Sequence, residues 1–140
     1  MVFEWIFKLF MSVQVAVFRL TKGSRMAWMR GMPVLLLNTT GRKSGALRTT
    51  PLMYIRDGGN YVITASNNGS DRHPGWFHNL QASGAAVIEV PGQRLKVSAA
   101  VASPDERERL WPQLVAQAPF FDAYRKGTRR EIPMVILKPL

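Results

Sequence analysis

The chain has 140 residues, 46% of them hydrophobic and 20% charged, and its 19 Lys and Arg against 9 Asp and Glu leave a formal charge of +10. That is the length of one domain with ordinary globular composition, which argues against an intrinsically disordered chain or a string of domains. The absence of cysteine excludes disulfides, thiolate metal sites and a cysteine nucleophile, while so positive a charge calls for an anionic partner such as nucleic acid, acidic lipid or a phosphorylated cofactor.

The first predicted element is a helix over residues 2–20, VFEWIFKLFMSVQVAVFRL. At ~100° per residue, Glu4, Lys8, Ser12 and Arg19 fall within an arc of about 80°, leaving a broad apolar face. Its charges argue against a membrane span, and Glu4 and Lys8 argue against a secretory signal. Two readings stand. The helix packs on the domain or on a second subunit, or it lies in a bilayer interface. In the second case Lys8, Arg19, Lys22, Arg25 and Arg30 meet anionic headgroups, with Trp5 and Trp28 at the boundary.

After this segment (1–30) the barrel-forming domain, 31–140, begins. PVLLLNTT from Pro33 is an apolar run of strand length, followed by the glycine-bracketed turn GRKSG. LRTTPLMYIR is a strand in which Pro51 marks an edge or a bulge. DGGN is a hairpin turn, NYVITAS a strand, and NNGSDRHPG a polar loop. WFHNLQA is a short helix, and AAVIEV and RLKVSAAV are strands around PGQ. Ser103, Pro104 and Glu106 mark a helix start, as N-cap, first residue and capping-box partner. That helix is expected to kink or restart at Pro112 and Pro119. IPMVILK is a last strand. Six strands at hairpin-like spacing, with flanking helices, predict an α+β fold built on an antiparallel sheet or small barrel.

Three segments carry candidate chemistry. In TTGRKSG, with Arg48 just beyond, the glycines admit a ligand to the backbone and Arg42, Lys43, Ser44 and Arg48 suit a phosphate or polycarboxylate. The glycine spacing is not that of a P-loop. In residues 65–80 a loop of small polar residues runs into a helix start whose N–H groups suit anionic or carbonyl oxygens, with Trp76 and Phe77 able to flank a flat ring. His73 and His78 are five apart without a supporting carboxylate cluster, so no metal site is expected. In WPQL…PFFDAY, Phe121 and Tyr124 share a helical face and either pack in the core or wall an apolar pocket. No nucleophile or paired-carboxylate set emerges, as expected where a cofactor performs the reaction.

The run LLLNTTGRKSGALRTTPLMYIRDGGNYVITASNNGSDRHPGWFHNLQA, with WPQLVAQAPFF…REIPMVILKP, closely resembles the deazaflavin-dependent nitroreductase family. The resemblance covers about residue 33 to the end, and its motifs agree in order and spacing. It implies an antiparallel split β-barrel, related to the FMN-binding split barrels, and reduced coenzyme F420 as hydride donor. The anionic tail of that cofactor offers a use for the basic loop.

The resemblance assigns Arg42, Lys43 and Ser44 to the phosphate and tail, and Arg48, Thr49, Thr50, Pro51, Leu52 and Met53 to the strand under the cofactor. Thr64, Ala65, Ser66 and Asn67 match the strand end beside the ring. Gly75, Trp76, Phe77, His78 and Asn79 match the helix start that clasps it. Phe121 falls where the family can carry a tyrosine near the ring. Ser66 is then the ring-orienting residue, and Tyr124 or water the proton source.

Nitroimidazole-reducing members carry several tyrosines after WPQL, where this chain has Ala118, Phe121 and only Tyr124. The implied acceptor is an electron-poor apolar compound, a quinone, an enone or unsaturated lactone, or a nitro compound, with a quinone or enone preferred over bulky nitroimidazoles. The implied setting is cytoplasmic, peripheral on the inner face of the membrane or dimeric through residues 1–30. An FMN carrier without turnover is the nearer alternative. Nucleic-acid binding is not expected, because no RNP-like strand or basic helix with interleaved aromatics is present.

Overall fold

In a computed structural model the described residues are 2–23 and 27–140, the side chains of 2–5 and 7 excepted. The side chain of Glu4, the boundary role of Trp5 and the charge of Arg25 lie outside the described residues. The elements are α1 (Val2–Leu20), β1 (Trp28–Met29), β2 (Met32–Thr40), β3 (Leu47–Asp57), β4 (Asn60–Thr64), α2 (Gly75–Ser83), β5 (Ala85–Val90), β6 (Gln93–Val101), α3 (Pro104–Gln117), α4 (Phe120–Gly127) and β7 (Met134–Pro139). The strands run antiparallel in the order β1-β2-β3-β4-β7-β6-β5, and β5 pairs back onto β2. That last pairing closes β2 through β7 into a six-stranded barrel and leaves the two-residue β1 outside it.

The unbroken apolar run from Pro33 to Leu37 follows from this closure, since a strand covered on both faces has no polar side. Leu35 and Leu37 point into the barrel core with Ile63, Ile88 and Leu137. Leu36 packs outward against Phe18 of α1 and Ala27. A second layer lies under α3 and α4, where Leu110, Trp111, Leu114 and Phe121 cover Met32, Val62 and Met134.

The helix start at Ser103 is a full capping box: Glu106 N–H donates to Ser103 Oγ (3.2 Å), and Ser103 N–H donates to Glu106 Oε1 (2.9 Å). The helix then continues through Pro112, and the restart comes only at Pro119. Pro112 is exposed, so the carbonyl it leaves unbonded one turn earlier can turn to water. Pro51 lies in the half of β3 that pairs with β2 alone, an edge position that tolerates a missing N–H.

The wide apolar surface of α1 divides in two. Gln14 and Phe18 face the barrel and are each 2% exposed, whereas Ile6, Leu9, Phe10 and Val13 are more than half exposed. Arg19 clasps the C-terminal end of the helix to the barrel, donating to Glu89 (3.2 and 3.0 Å), to Asn38 Oδ1 (3.1 Å) and to Thr49 Oγ1 (3.2 Å). Burial by itself pushes the Glu89 carboxyl up, but hydrogen bonds from Arg19 and Asn38 and the charges of Arg19 and Arg94 outweigh it and hold the group below its usual range.

A lowered carboxylate pKa contributes stability that is complete above the unfolded value and is lost as pH falls through the folded one. The docking of α1 therefore weakens on acidification below about pH 4.5, by about 1 kcal/mol because Arg19 is half exposed. Hydrogen exchange of the α1 amides should accelerate beyond its intrinsic pH trend between pH 6 and pH 3 in the native chain. Glu89→Gln should show faster exchange already at pH 6 and no further acid step. An acid step that survives in this variant would assign the effect elsewhere.

Candidate functional site

Beyond its pairing with β2, the first half of β3 has a free edge, because β4 ends at Thr64 opposite the middle of β3. The barrel opens there into a cavity of about 360 Å³. Thr50, Pro51, Leu52 and Met53 form one wall, and Thr64, Ser66, Asn67 and Asn68 form the end. Pro74 and Trp76 at the start of α2 and Phe121 of α4 close the sides. Phe10, Met11 and Gln14 of α1 form the roof. The surface is mostly apolar with hydroxyls at one end, which suits a flat ring bearing carbonyl groups. The Thr64 and Ser66 hydroxyls make no hydrogen bond within the protein among the described residues, so both remain available to a ligand.

A second, more open cavity of about 410 Å³ adjoins the first, and Thr50 and Trp76 belong to both. Gly41, Arg42, Lys43, Ser44, Arg48, Gly75 and Asn79 complete it. The turn that presents these cations is held by Gly41 N–H to Ala46 O (2.7 Å) and Gly45 N–H to Gly41 O (2.8 Å), with Gly45 at φ +73°, where a side chain is strained. Asn79, buried in α2, accepts from Arg42 N–H (3.1 Å) and donates to Thr39 Oγ1 (3.2 Å), fixing the turn to the helix. Among the described residues no carboxylate pairs with Arg42, Lys43 or Arg48. Three neighbouring cations without internal counter-charges make an anion site.

The loop between the cavities and the rest of the barrel is strained. Asn67 and Asn68 have φ of 46° and 55°, followed by Gly69 at 80°. Asparagine tolerates this region better than most residues, yet each left-handed step still costs about 1 kcal/mol. Arg130 holds the loop from the far side. It donates to Ser66 O (2.8 Å), to Ser70 O (2.8 Å) and to His73 Nδ1 (3.0 Å). Burial, then the charge of Arg130, then His78, pull the His73 pKa down, which keeps Nδ1 free to accept.

The structure brings most of the predicted residues to the two cavities and turns some away. Ala65 is fully buried, and its N–H bonds Pro133 O (2.9 Å), so it shapes the strand end from behind. Thr49 turns toward α1, donating to Asn38 Oδ1 (2.6 Å). Phe77 belongs to the barrel core, and the His78 ring packs edge-on against His73 (5.8 Å) and Phe77 (6.0 Å). Phe121 and Tyr124 part company: Phe121 lines the apolar cavity, and Tyr124 lines neither. The Tyr124 hydroxyl accepts from Arg30 (3.1 Å), and its body packs under Gly69, where an added Cβ would lie 3.3 Å from the ring. The site residues that sequence reasoning missed are Phe10, Met11, Gln14, Met29, Asn68 and Pro74 in the cavity lining and Arg130 behind the loop. Their signals are weak, because an isolated Gln in a helix and an Arg in a basic C-terminal loop look like ordinary surface residues.

An apolar slot with hydroxyls at its end, joined at Thr50 and Trp76 to a basic trough, fits a flat ring carrying a long anionic tail. Comparison with known proteins agrees. Residues 10–139 match the family model for F420H(2)-dependent quinone reductase. An F420H(2)-dependent quinone reductase of Mycobacterium tuberculosis is 44% identical over 109 residues, covering 75% of this chain and 72% of that one. Among solved structures, an F420-H2 dependent reductase superposes with a TM-score of 0.70 at 34% identity, covering 76% of this chain and 94% of its own. Another, described as a domain-swapped dimer, superposes with a TM-score of 0.73 at 28% identity over 99% of this chain and all of that one (100%).

Proposed function

The chain belongs to the F420H(2)-dependent quinone reductase family, and from that premise we propose that it holds reduced F420 across the two cavities and passes its hydride to a quinone in the apolar one. The observation that carries this reading is the join at Thr50 and Trp76 between an uncompensated basic trough and an apolar slot. Bound F420H2 supplies the hydride from C5 of its deazaflavin ring. The protein's part is placement.

Arg42, Lys43 and Arg48 hold the phosphate and acidic tail, with Ser44 as a hydroxyl donor. The free edge of β3 from Thr50 to Met53 carries the ring, and Thr64, Ser66 and Asn67 meet its polar edge. Trp76 closes the junction, and Phe121 walls the acceptor. The proton that completes the reduction comes from water, since Tyr124 is engaged with Arg30 and keeps the Gly69 turn in place.

A titration with F420 and, in parallel, FMN tests the cofactor, and oxidation of F420H2 by menadione tests the reaction. Selective, saturable F420 binding with turnover is the expected result. Binding of FMN alone would keep the fold and overturn the cofactor.

We also propose that the outer face of α1 rests on an anionic lipid surface, the phase in which apolar quinones are held. Among the described residues no helix is long and apolar enough to cross a membrane. Leu9 and Val13 are each 52% exposed, Lys8 flanks them, and Phe10 stands at once on this face and in the roof of the cavity. Co-flotation with vesicles containing phosphatidylglycerol should be strong for the native chain and mostly lost in Leu9→Asn, Val13→Asn, with secondary structure retained. Absence of flotation together with a dimeric mass in solution would assign the face to a second copy.

A further inference from the structure

One buried polar side chain in the cavity has no role in the account above. Gln14 is 2% exposed and lies in the roof beside Phe10 and Met11. Among the described residues its amide makes no hydrogen bond within the protein, and no side-chain nitrogen or oxygen shut off from solvent lacks a partner. The Gln14 amide therefore opens onto the free space of the cavity. A buried amide without a partner is disfavoured, and leucine or methionine would fill the same volume without that penalty.

Helix geometry fixes the direction. Residues 10, 11, 14 and 18 share one face of α1, Phe18 is packed against Leu36, and the Arg19 clasp secures the following turn. The roof borders the same cavity as the β3 wall assigned to the cofactor ring, with α1 packed against β3, so Gln14 addresses whatever lies beside that ring.

Resting on the proposed function, we infer that Gln14 is the specificity-determining donor for the acceptor, its side-chain N–H bonding one carbonyl oxygen of a quinone. Reduction delivers one hydride and one proton to the quinone, both lost overall by F420H2, and yields the hydroquinone and oxidised F420. As the hydride arrives, negative charge collects on the carbonyl oxygen, so a hydrogen bond placed there strengthens in the transition state. Gln14 has no proton to give, and the oxygen takes its proton from water.

The test uses the full chain with Gln14→Leu and Gln14→Glu. F420 affinity is read by titration, menadione affinity by quenching of tryptophan fluorescence with oxidised F420 bound, and turnover by F420H2 oxidation. Gln14→Leu should keep native F420 affinity and lose at least about tenfold in both menadione affinity and kcat/KM. Gln14→Glu should be slower still at pH 8, where its carboxylate repels the developing charge, and should recover as pH falls and that carboxyl takes up a proton. Unchanged menadione binding and kcat/KM in Gln14→Leu would overturn the inference, as would a parallel loss of F420 affinity. Failure of the native chain to bind F420 or reduce menadione would strike the functional reading itself and the inference with it.

Discussion

Reversing two charges at the basic trough, in Lys43→Glu with Arg48→Glu, should raise the Kd for F420 at least about 100-fold, or about 2.7 kcal/mol. A charge-assisted hydrogen bond contributes about 1.5–3 kcal/mol, and the exposure of these two side chains brings each toward the lower figure. The reversal also adds repulsion between the new carboxylates and the acidic tail. Stability should change little, because among the described residues neither side chain has an internal partner to lose. The affinity of the native chain should fall with added salt, and that of the double variant should fall less or rise. Lys138→Glu, an exposed cation that lines neither cavity, provides the control for net charge. An unchanged Kd in the double variant would remove the trough from the cofactor site.

The second large effect is expected at Arg130→Met. This substitution keeps much of the side-chain volume but removes all three Arg130 hydrogen bonds: Ser66 O keeps only the Gly69 N–H (2.9 Å), Ser70 O only the Thr128 hydroxyl (3.3 Å), and His73 Nδ1 loses its donor. Losing three hydrogen bonds from a charged donor, two of them part-buried, costs about 2–3 kcal/mol. In a domain of this size that lowers Tm by roughly 10 °C. The strained Asn67–Asn68–Gly69 turn is then free to relax, so the F420 Kd should rise as well, although Arg130 lines neither cavity. Arg130→Lys should recover little, because an ammonium cannot span three acceptors as the planar guanidinium does. Differential scanning calorimetry and the F420 titration check both parts, and a Tm within 2 °C of the native value would show that the loop holds its shape without the clamp.

The exposed apolar strip on α1 and the Gln14 roof share a logic. One helix face is turned to the cavity and the opposite face to the surroundings, with Phe10 on the boundary between them. An acceptor arriving along the apolar strip would pass Phe10 before meeting Gln14. Substitution of Phe10 by a small polar residue should therefore matter more for apolar quinones than for water-soluble ones.

What the sequence determined by itself was local. The six barrel strands and the helices were legible from hydrophobic period and punctuation, whereas the two-residue β1 was not. The Ser103–Glu106 capping box and the glycine-bracketed GRKSG turn need only neighbours within a few residues. The edge position of Pro51 follows from its missing N–H. The likeness of residues 33–140 to one family supplied the cofactor and most of the site.

Tertiary structure alone decided the rest. The pairing of β2 with β5, which closes the barrel, joins residues about fifty positions apart. Tyr124 and Phe121 share a helical period, yet contacts with Arg30 and Gly69, distant in sequence, turn one away from the cavity while the other lines it. Arg130 reaches back across the fold to Ser66, and Asn79 ties a turn to a helix. Gln14 looks in sequence like one more polar residue on an amphipathic helix, and only the docking of α1 across the opening of β3 places it over a cavity. Periodicity specifies which face of an element is buried, but the partner of each side chain depends on loop closure and packing between distant segments, which no local pattern encodes.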